Sequence, residues 1–270
     1  MRTFPIFISI IVILTSCKKP KVDCTDLEII APKVILVAGQ SNTHAGLGLD
    51  ASIDAPEDGI YQLGRFSNDM CIIQACEPLD HHTRTDDRIG FALTFAKLLK
   101  LHQEGSGDIL IVPSGFGGTG FIDNHWNKGN DLYQDAVMRV NHVLTKYPDA
   151  VLSAVLWHQG ETDIFLQNPD YQASLDQFIN DLRTDIGHPE VPLIVGGMVP
   201  YWVDQETERQ AVQAIIASTP QRHLNVGYAD PTVPFVIQKP DNTFDEIHFN
   251  AEGQRELGQR YFAEYLEIVE

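Results

Sequence analysis

Lys33-Val-Ile-Leu-Val-Ala-Gly-Gln-Ser-Asn42 is the stretch on which the reading of the fold turns. Its apolar run, closed by Pro32 on one side and Gly39 on the other, suits a strand buried on both faces. Similar runs recur at Asp108-Ile-Leu-Ile-Val112, Ala150-Val-Leu-Ser-Ala-Val-Leu-Trp157 and Val191-Pro-Leu-Ile-Val195, with a weaker one at Ile60-Tyr-Gln-Leu-Gly64. Between them, apolar residues fall at helical spacing: Ile89, Ala92, Phe95, Ala96 and Leu99; Leu132, Ala136, Val140, Val143 and Leu144; Tyr171, Leu175, Phe178, Leu182 and Ile186. A last helix, with Asn250 as its N-cap, carries Leu257, Tyr261 and Tyr265 on one stripe. Apolar strands alternating with amphipathic helices predict a three-layer α/β/α sandwich around a mostly parallel sheet of about five strands.

In such sheets ligands bind beyond the carboxyl ends of the strands, so the residues directly after each strand carry the interest. They are Gly39-Gln-Ser-Asn42, Pro113-Ser-Gly-Phe-Gly-Gly-Thr-Gly120 and His158-Gln-Gly-Glu-Thr-Asp163, and near the end stands Asp245-Glu-Ile-His248. Together they offer a hydroxyl, an imidazole, a carboxylate and several exposed backbone amides. Acyl transfer needs that inventory. A serine hydroxyl becomes a nucleophile when an imidazole takes its proton, and a carboxylate must hold that imidazole in the right tautomer. The tetrahedral intermediate also needs donors aimed at its oxyanion, and Ser41, following a strand, has its own amide free for that. Asp245 and His248 are one turn apart; only the fold can bring His248 to Ser41.

These four segments, in this order, resemble the SGNH hydrolase superfamily, and within it the sialate O-acetylesterase-like group of carbohydrate esterases. The resemblance runs from Val34 to Phe262. It implies a flavodoxin-like fold, with Ser41 as nucleophile, His248 as general base and Asp245 as the carboxylate orienting it; Asp241 is a weaker stand-in for Asp245. It also implies an oxyanion hole of the Ser41 amide, a glycine amide (Gly117, with Gly118 and Gly115 as alternatives) and the Gln159 side chain. Better-known superfamily members have asparagine where Gln159 stands. Glu161 and Asp163 are expected to brace the loop that aims Gln159, and Gln40 and Asn42 to border the substrate pocket. Trp126 reads equally as a pocket wall and as a ring filling a gap beneath the loop.

Other readings are weaker. The Gly115-to-Gly120 run lacks the Lys-Ser/Thr ending of a phosphate loop and the spacing of a dinucleotide fingerprint. His158, Glu161 and Asp163 lack a second histidine on the same helical face, so neither a metal nor a cofactor is expected. His81-His82, in a stretch rich in Asp and Arg, reads as a solvated loop. The implied activity is removal of O-acetyl groups from a carbohydrate; a lipase or thioesterase of the same superfamily, and an inactive glycan-binding protein, are the alternatives.

The chain has 270 residues, room for one α/β domain, and a formal net charge of -18, which argues against nucleic acid as a partner. Met1-Arg2, the apolar run Phe4 to Leu14 and Leu14-Thr-Ser-Cys17 read as a secretory leader over 1–16, too short to span a bilayer permanently. The Leu-x-Ser-Cys ending resembles the bacterial lipobox, with Cys17 as the lipidated residue. The expected organisation is therefore a tether over 17–30 and an esterase domain over 31–270, held at the bacterial cell envelope by its lipid. Cys71 and Cys76 could pair in an oxidising compartment.

Overall fold

The computed structural model describes residues 27–103, 107–239 and 244–270; the leader, Cys17, Cys24 and Asp241 lie outside them. Nine strands are described: β1 (Lys33–Gly39), β2 (Gly46–Leu47), β3 (Ile60–Leu63), β4 (Ile72–Gln74), β5 (Arg88–Ile89), β6 (Ile109–Pro113), β7 (Val151–His158), β8 (Leu193–Gly196) and β9 (Val226–Ala229). The helices are α1 (Ala92–His102), α2 (Asp131–Lys146), α3 (Glu161–Phe165), α4 (Tyr171–Ile186), α5 (Pro200–Val203), α6 (Thr207–Ala217) and α7 (Ala251–Val269). The main sheet has seven strands in the order β4-β3-β6-β1-β7-β8-β9. Every neighbouring pair is parallel except β3 and β4.

The five expected strands are all present, and β4 and β9 extend the sheet at its two edges. Both edge strands are short, and Tyr228 and Gly227 break the apolar run of β9, so their pattern is faint. Helices α1 and α7 pack together on one face, and α2, α4 and α6 cover the other, which makes the three layers. The expected cap of the last helix forms: the Asn250 side chain accepts a hydrogen bond from the Gly253 amide. Residues before 31 also touch the domain: the Leu27 amide donates to the Ile72 carbonyl and the Asp108 amide to that of Ile30. Cys71 is disulfide-bonded while Cys76 is a free thiol, so a bridge between these two does not form.

Strand order explains where a site can form. From β1 the sheet grows through β6 and β3 on one side and through β7, β8 and β9 on the other. The reversal opens a crevice beyond the carboxyl end of β1. Register sets Val37 beside Pro113 and Gly39 beside His158, so the segments after β1, β6 and β7 emerge along one rim. Gly39 makes the turn out of the sheet with φ +123°, and a Cβ there would lie 2.1 Å from the His158 carbonyl oxygen. Only glycine meets both demands. Gly39→Ala is expected to lose roughly 2–4 kcal/mol from strain and displacement of β7, read as a shift in the urea midpoint. An unshifted midpoint would contradict this account of the turn.

Candidate active site

Ser41 opens a single 3-10 turn after β1, half-exposed at the crevice. Its hydroxyl lies 2.8 Å from Nε2 of His248, and Nδ1 of His248 lies 2.8 Å from Oδ2 of Asp245. Oδ1 of Asp245 accepts from the Ile247 and His248 amides at 3.2 and 3.1 Å. Burial pulls the Asp245 carboxyl upward, but the hydrogen bonds and charge of His248 and these two amides outweigh it and hold the group below its usual range. An ionised Asp245 fixes the His248 proton on Nδ1 and leaves the Nε2 lone pair for the Ser41 hydroxyl.

The juxtaposition of residues 207 positions apart is the work of Asn42. Its Nδ2 donates to Oε1 of Glu161 at 2.6 Å and to the Ile247 carbonyl at 2.9 Å, and its Oδ1 accepts from the Phe249 amide at 3.1 Å. Gln254 on α7 donates to the Asn42 carbonyl at 2.9 Å. The residue after Ser41 thus grips the chain on both sides of His248. Asn42 is fully buried, so it is framework and does not border a substrate pocket as expected. Glu161 serves Asn42 and not Gln159; its carboxyl, buried beside Asn42, is pushed upward by desolvation.

Gln40 is likewise buried and turned inward. Its Oε1 accepts from the Gly160 and Thr162 amides at 3.4 and 3.1 Å, capping the start of α3 from another segment. Gln159 departs from its expected role. Its Nε2 lies 2.6 Å from Oδ2 of Asp163 and 3.3 Å from Oε1 of Gln40, which occupies both protons of the amide. Turning the amide round would set its oxygen against the Asp163 carboxylate. Asp163 also accepts from the Phe121 and Ile122 amides and from Asn168, so it pins the glycine loop and Gln159 together. In this arrangement the Gln159 amide protons are engaged by Asp163, Gln40 and the Thr119 carbonyl within the framework. Trp126 is fully buried, edge-on to Trp157 and hydrogen-bonded to Thr119, so it fills the gap beneath the loop and walls no pocket.

In the glycine loop the amides divide cleanly. Gly115 donates to Nδ1 of His81 at 2.9 Å and Phe116 to the Gly39 carbonyl at 2.9 Å. Among the described residues the Ser41, Gly117 and Gly118 amides have no hydrogen-bond acceptor. A Cβ on Gly117 would lie 3.4 Å from that of Ser41, so its backbone rests against the serine. Gly118 stands exposed with φ +73° and nothing against it. Gly117 is therefore the glycine with a free amide whose backbone rests against Ser41.

The floor of the site is a set of buried neutral imidazoles. His81, expected in a solvated loop, is fully buried and stacked on His44 at 4.9 Å. Burial, with the charges of His248 and His82, lowers His44 to about 4. Burial, with His44, Arg65 and His82 nearby, holds His81 well below the usual imidazole range. Burial and then His248 lower His158 to about 3. Above pH 6.5 these groups are neutral folded or unfolded and contribute no pH dependence. Below it the unfolded chain takes up protons that the folded protein refuses, so stability falls as pH drops from 6.5 towards 4. Each imidazole then costs up to about 1.4 kcal/mol per pH unit. Glu77, raised to about 8 by burial, gains stability as pH falls from 8 to 4.5, and Glu161 and Glu264, also pushed up by burial, gain it too, but by less than the three imidazoles lose together. The melting temperature is expected to be lower at pH 5 than at pH 7; an equal or higher value would contradict the neutral floor.

The fold is a three-layer α/β/α sandwich whose rim brings a serine, a histidine and a carboxylate within hydrogen-bond reach. The family model for carbohydrate esterase, sialic acid-specific acetylesterase, matches residues 31–267, and the chain belongs to that family of carboxylic ester hydrolases. A probable 9-O-acetyl-N-acetylneuraminic acid deacetylase of Escherichia coli K12 is 34% identical over 63% of this chain and 68% of its own length. A probable carbohydrate esterase of Arabidopsis thaliana is 31% identical over 48% of this chain, and the match spans half of that relative. An X-ray structure of an Arabidopsis thaliana protein superposes with TM-score 0.71 at 26% identity, covering 87% of this chain and 98% of the other. The crystal structure of NanS superposes with TM-score 0.74 at 23% identity, covering 88% and 98%, a likeness of fold.

Proposed function

We propose that this chain removes O-acetyl groups from a carbohydrate through an acetyl-enzyme on Ser41. The observation that carries the reading is the unbroken relay from the Ser41 hydroxyl through His248 to Asp245, each link 2.8 Å long, beside two unspent amides. Ser41 Oγ attacks the acetyl carbonyl as His248 Nε2 takes its proton. The oxyanion sits on the Ser41 and Gly117 amides. Collapse breaks the ester bond, and His248 returns the proton to the departing sugar oxygen. Water, deprotonated in turn by His248, then releases acetate and restores Ser41. Family membership and the names of the relatives support acetyl as the acyl group and a sugar as the alcohol.

A panel of acetylated glycans and p-nitrophenyl esters of increasing chain length tests this. Acetate release from a glycan, with the acetyl ester hydrolysed at least about ten times faster than the butyryl ester, is the expected outcome. Preference for long acyl chains would instead favour the lipase or thioesterase reading. Glycan binding with no hydrolysis would favour a binding protein.

The Leu14-Thr-Ser-Cys17 segment supports a further reading, anchorage of the enzyme at a bacterial envelope through a lipid on Cys17. Radiolabelled palmitate should enter the wild-type protein, and Cys17→Ser should abolish the label. Equal labelling of both would remove the anchor from the account.

A further inference from the structure

The clamp on the glycine loop has a definite chemical direction. The Gln40 carbonyl only accepts, so Thr43 Oγ1 must donate to it at 2.8 Å. Thr43 Oγ1 then accepts from His44 Nδ1 at 2.8 Å, and His44 Nε2 accepts from the Thr83 hydroxyl at 2.8 Å. This chain ties the turn that carries Ser41 to the loop at residues 81–83. The same loop holds Gly115 at both ends of its residue: His81 Nδ1 takes the Gly115 amide, and the His82 amide donates to the Gly115 carbonyl at 3.0 Å. His82 also stacks on Phe116. A Cβ at Gly115 would lie 1.9 Å from Thr43 Oγ1 and 3.0 Å from His81 Nδ1, so the loop is pressed between the two. Two residues after this clamp comes the Gly117 amide.

We propose that His81 is a positioning residue for ester hydrolysis: its Nδ1 lone pair, by holding the Gly115 amide, sets the Gly117 amide at the distance from Ser41 that the oxyanion requires. The inference rests on the reading of Ser41 and Gly117 given above. His81 can do this in one state, neutral with its proton on Nε2, because a protonated Nδ1 has nothing to offer an N–H. Its Nε2 is buried with no partner among the described residues, so the ring is held by the Gly115 bond and by stacking on His44. Of the groups around it, His44 and His82 are imidazoles and Arg65 is held by Asp135, the Pro113 carbonyl and Ser114. None competes for Nδ1. A shift of the loop would move a donor that acts in the transition state, so the effect belongs in kcat and not in KM.

The test compares His81→Leu, which fills space without an acceptor, with His81→Asn, whose side-chain oxygen can stand where Nδ1 stood. With p-nitrophenyl acetate, His81→Leu is expected to lower kcat by about 10- to 100-fold with KM within about twofold of wild type. His81→Asn should recover most of that loss. A folded His81→Leu protein with wild-type kcat, or an Asn variant as slow as Leu, would overturn the proposal. If neither variant folds, nitrogen NMR of the wild-type His81 ring decides the matter: a proton on Nε2 with coupling from the Gly115 amide to Nδ1 is expected, and a proton on Nδ1 overturns it. Fluorophosphonate labelling of wild-type Ser41 separates the two claims. A labelled serine with an indifferent His81 removes only the positioning role, whereas an unlabelled serine removes the underlying mechanism.

Discussion

Replacing Ser41 by alanine is expected to lower acetate release by up to about 10⁶-fold while leaving the protein folded. The residue sits half-exposed at the end of β1, and its hydroxyl is hydrogen-bonded to His248 Nε2. Alanine removes that oxygen without opening a core cavity, and the framework bonds of Gln40, Asn42 and Thr43 do not involve it. The melting temperature should therefore stay close to that of the wild type. What remains is a pocket with two free amides and an idle imidazole, which can still favour attack by water over the uncatalysed reaction. Turnover measured by acetate release, with thermal melts on the same preparations, checks both halves. A large drop in stability alongside lost activity would mean that Ser41 is structural.

The second large effect is expected at Asp245. Asp245→Asn should lower kcat by about 10⁴-fold, because it reverses the tautomer of His248. The carboxylate now accepts the His248 Nδ1 proton at 2.8 Å and two backbone amides through its other oxygen. An asparagine keeps one oxygen for those amides and turns its NH2 towards Nδ1. The ring must then accept at Nδ1 and carry its proton on Nε2, facing a serine that needs a base. Geometry survives while the proton sits on the wrong nitrogen. KM should change little. An Asn variant with near-wild-type kcat would show that the carboxylate only steadies the loop.

The sheet was legible because buried strands and amphipathic helices leave unlike periodicities. Val34 to Ala38 are apolar without a break, and Ala150 to Trp157 are so except for Ser153, because helix layers cover both faces of the sheet at β1 and β7. The edge strand β9 is short and interrupted by Gly227, and α6 buries little beyond Ile216, so neither leaves a strong pattern. Within the site, Ser41, Asp245 and His248 follow strands or stand one turn apart, and segment order pointed to them, whereas Gly117 was one of three glycines until its backbone contact with Ser41 separated it. The inward-facing polar residues were harder. Gln40, Asn42 and Gln159 flank the chemistry in sequence, yet their amides face the framework, and only the partners contributed by Glu161, Ile247, Phe249 and Asp163 reveal it. His44 and His81 gave no signal at all. A buried histidine looks like a solvated one when its neighbours are Asp and Arg, and the stack that buries it joins residues 37 apart along the chain.

The most direct test of the central claim is the intact mass of the protein during turnover of an acetylated glycan, quenched in acid and followed by peptide mapping. An adduct of one acetyl group is expected on Ser41 in the wild type and none in Ser41→Ala, with acetate release falling alongside it. Acetate released at the wild-type rate by Ser41→Ala would contradict the claim.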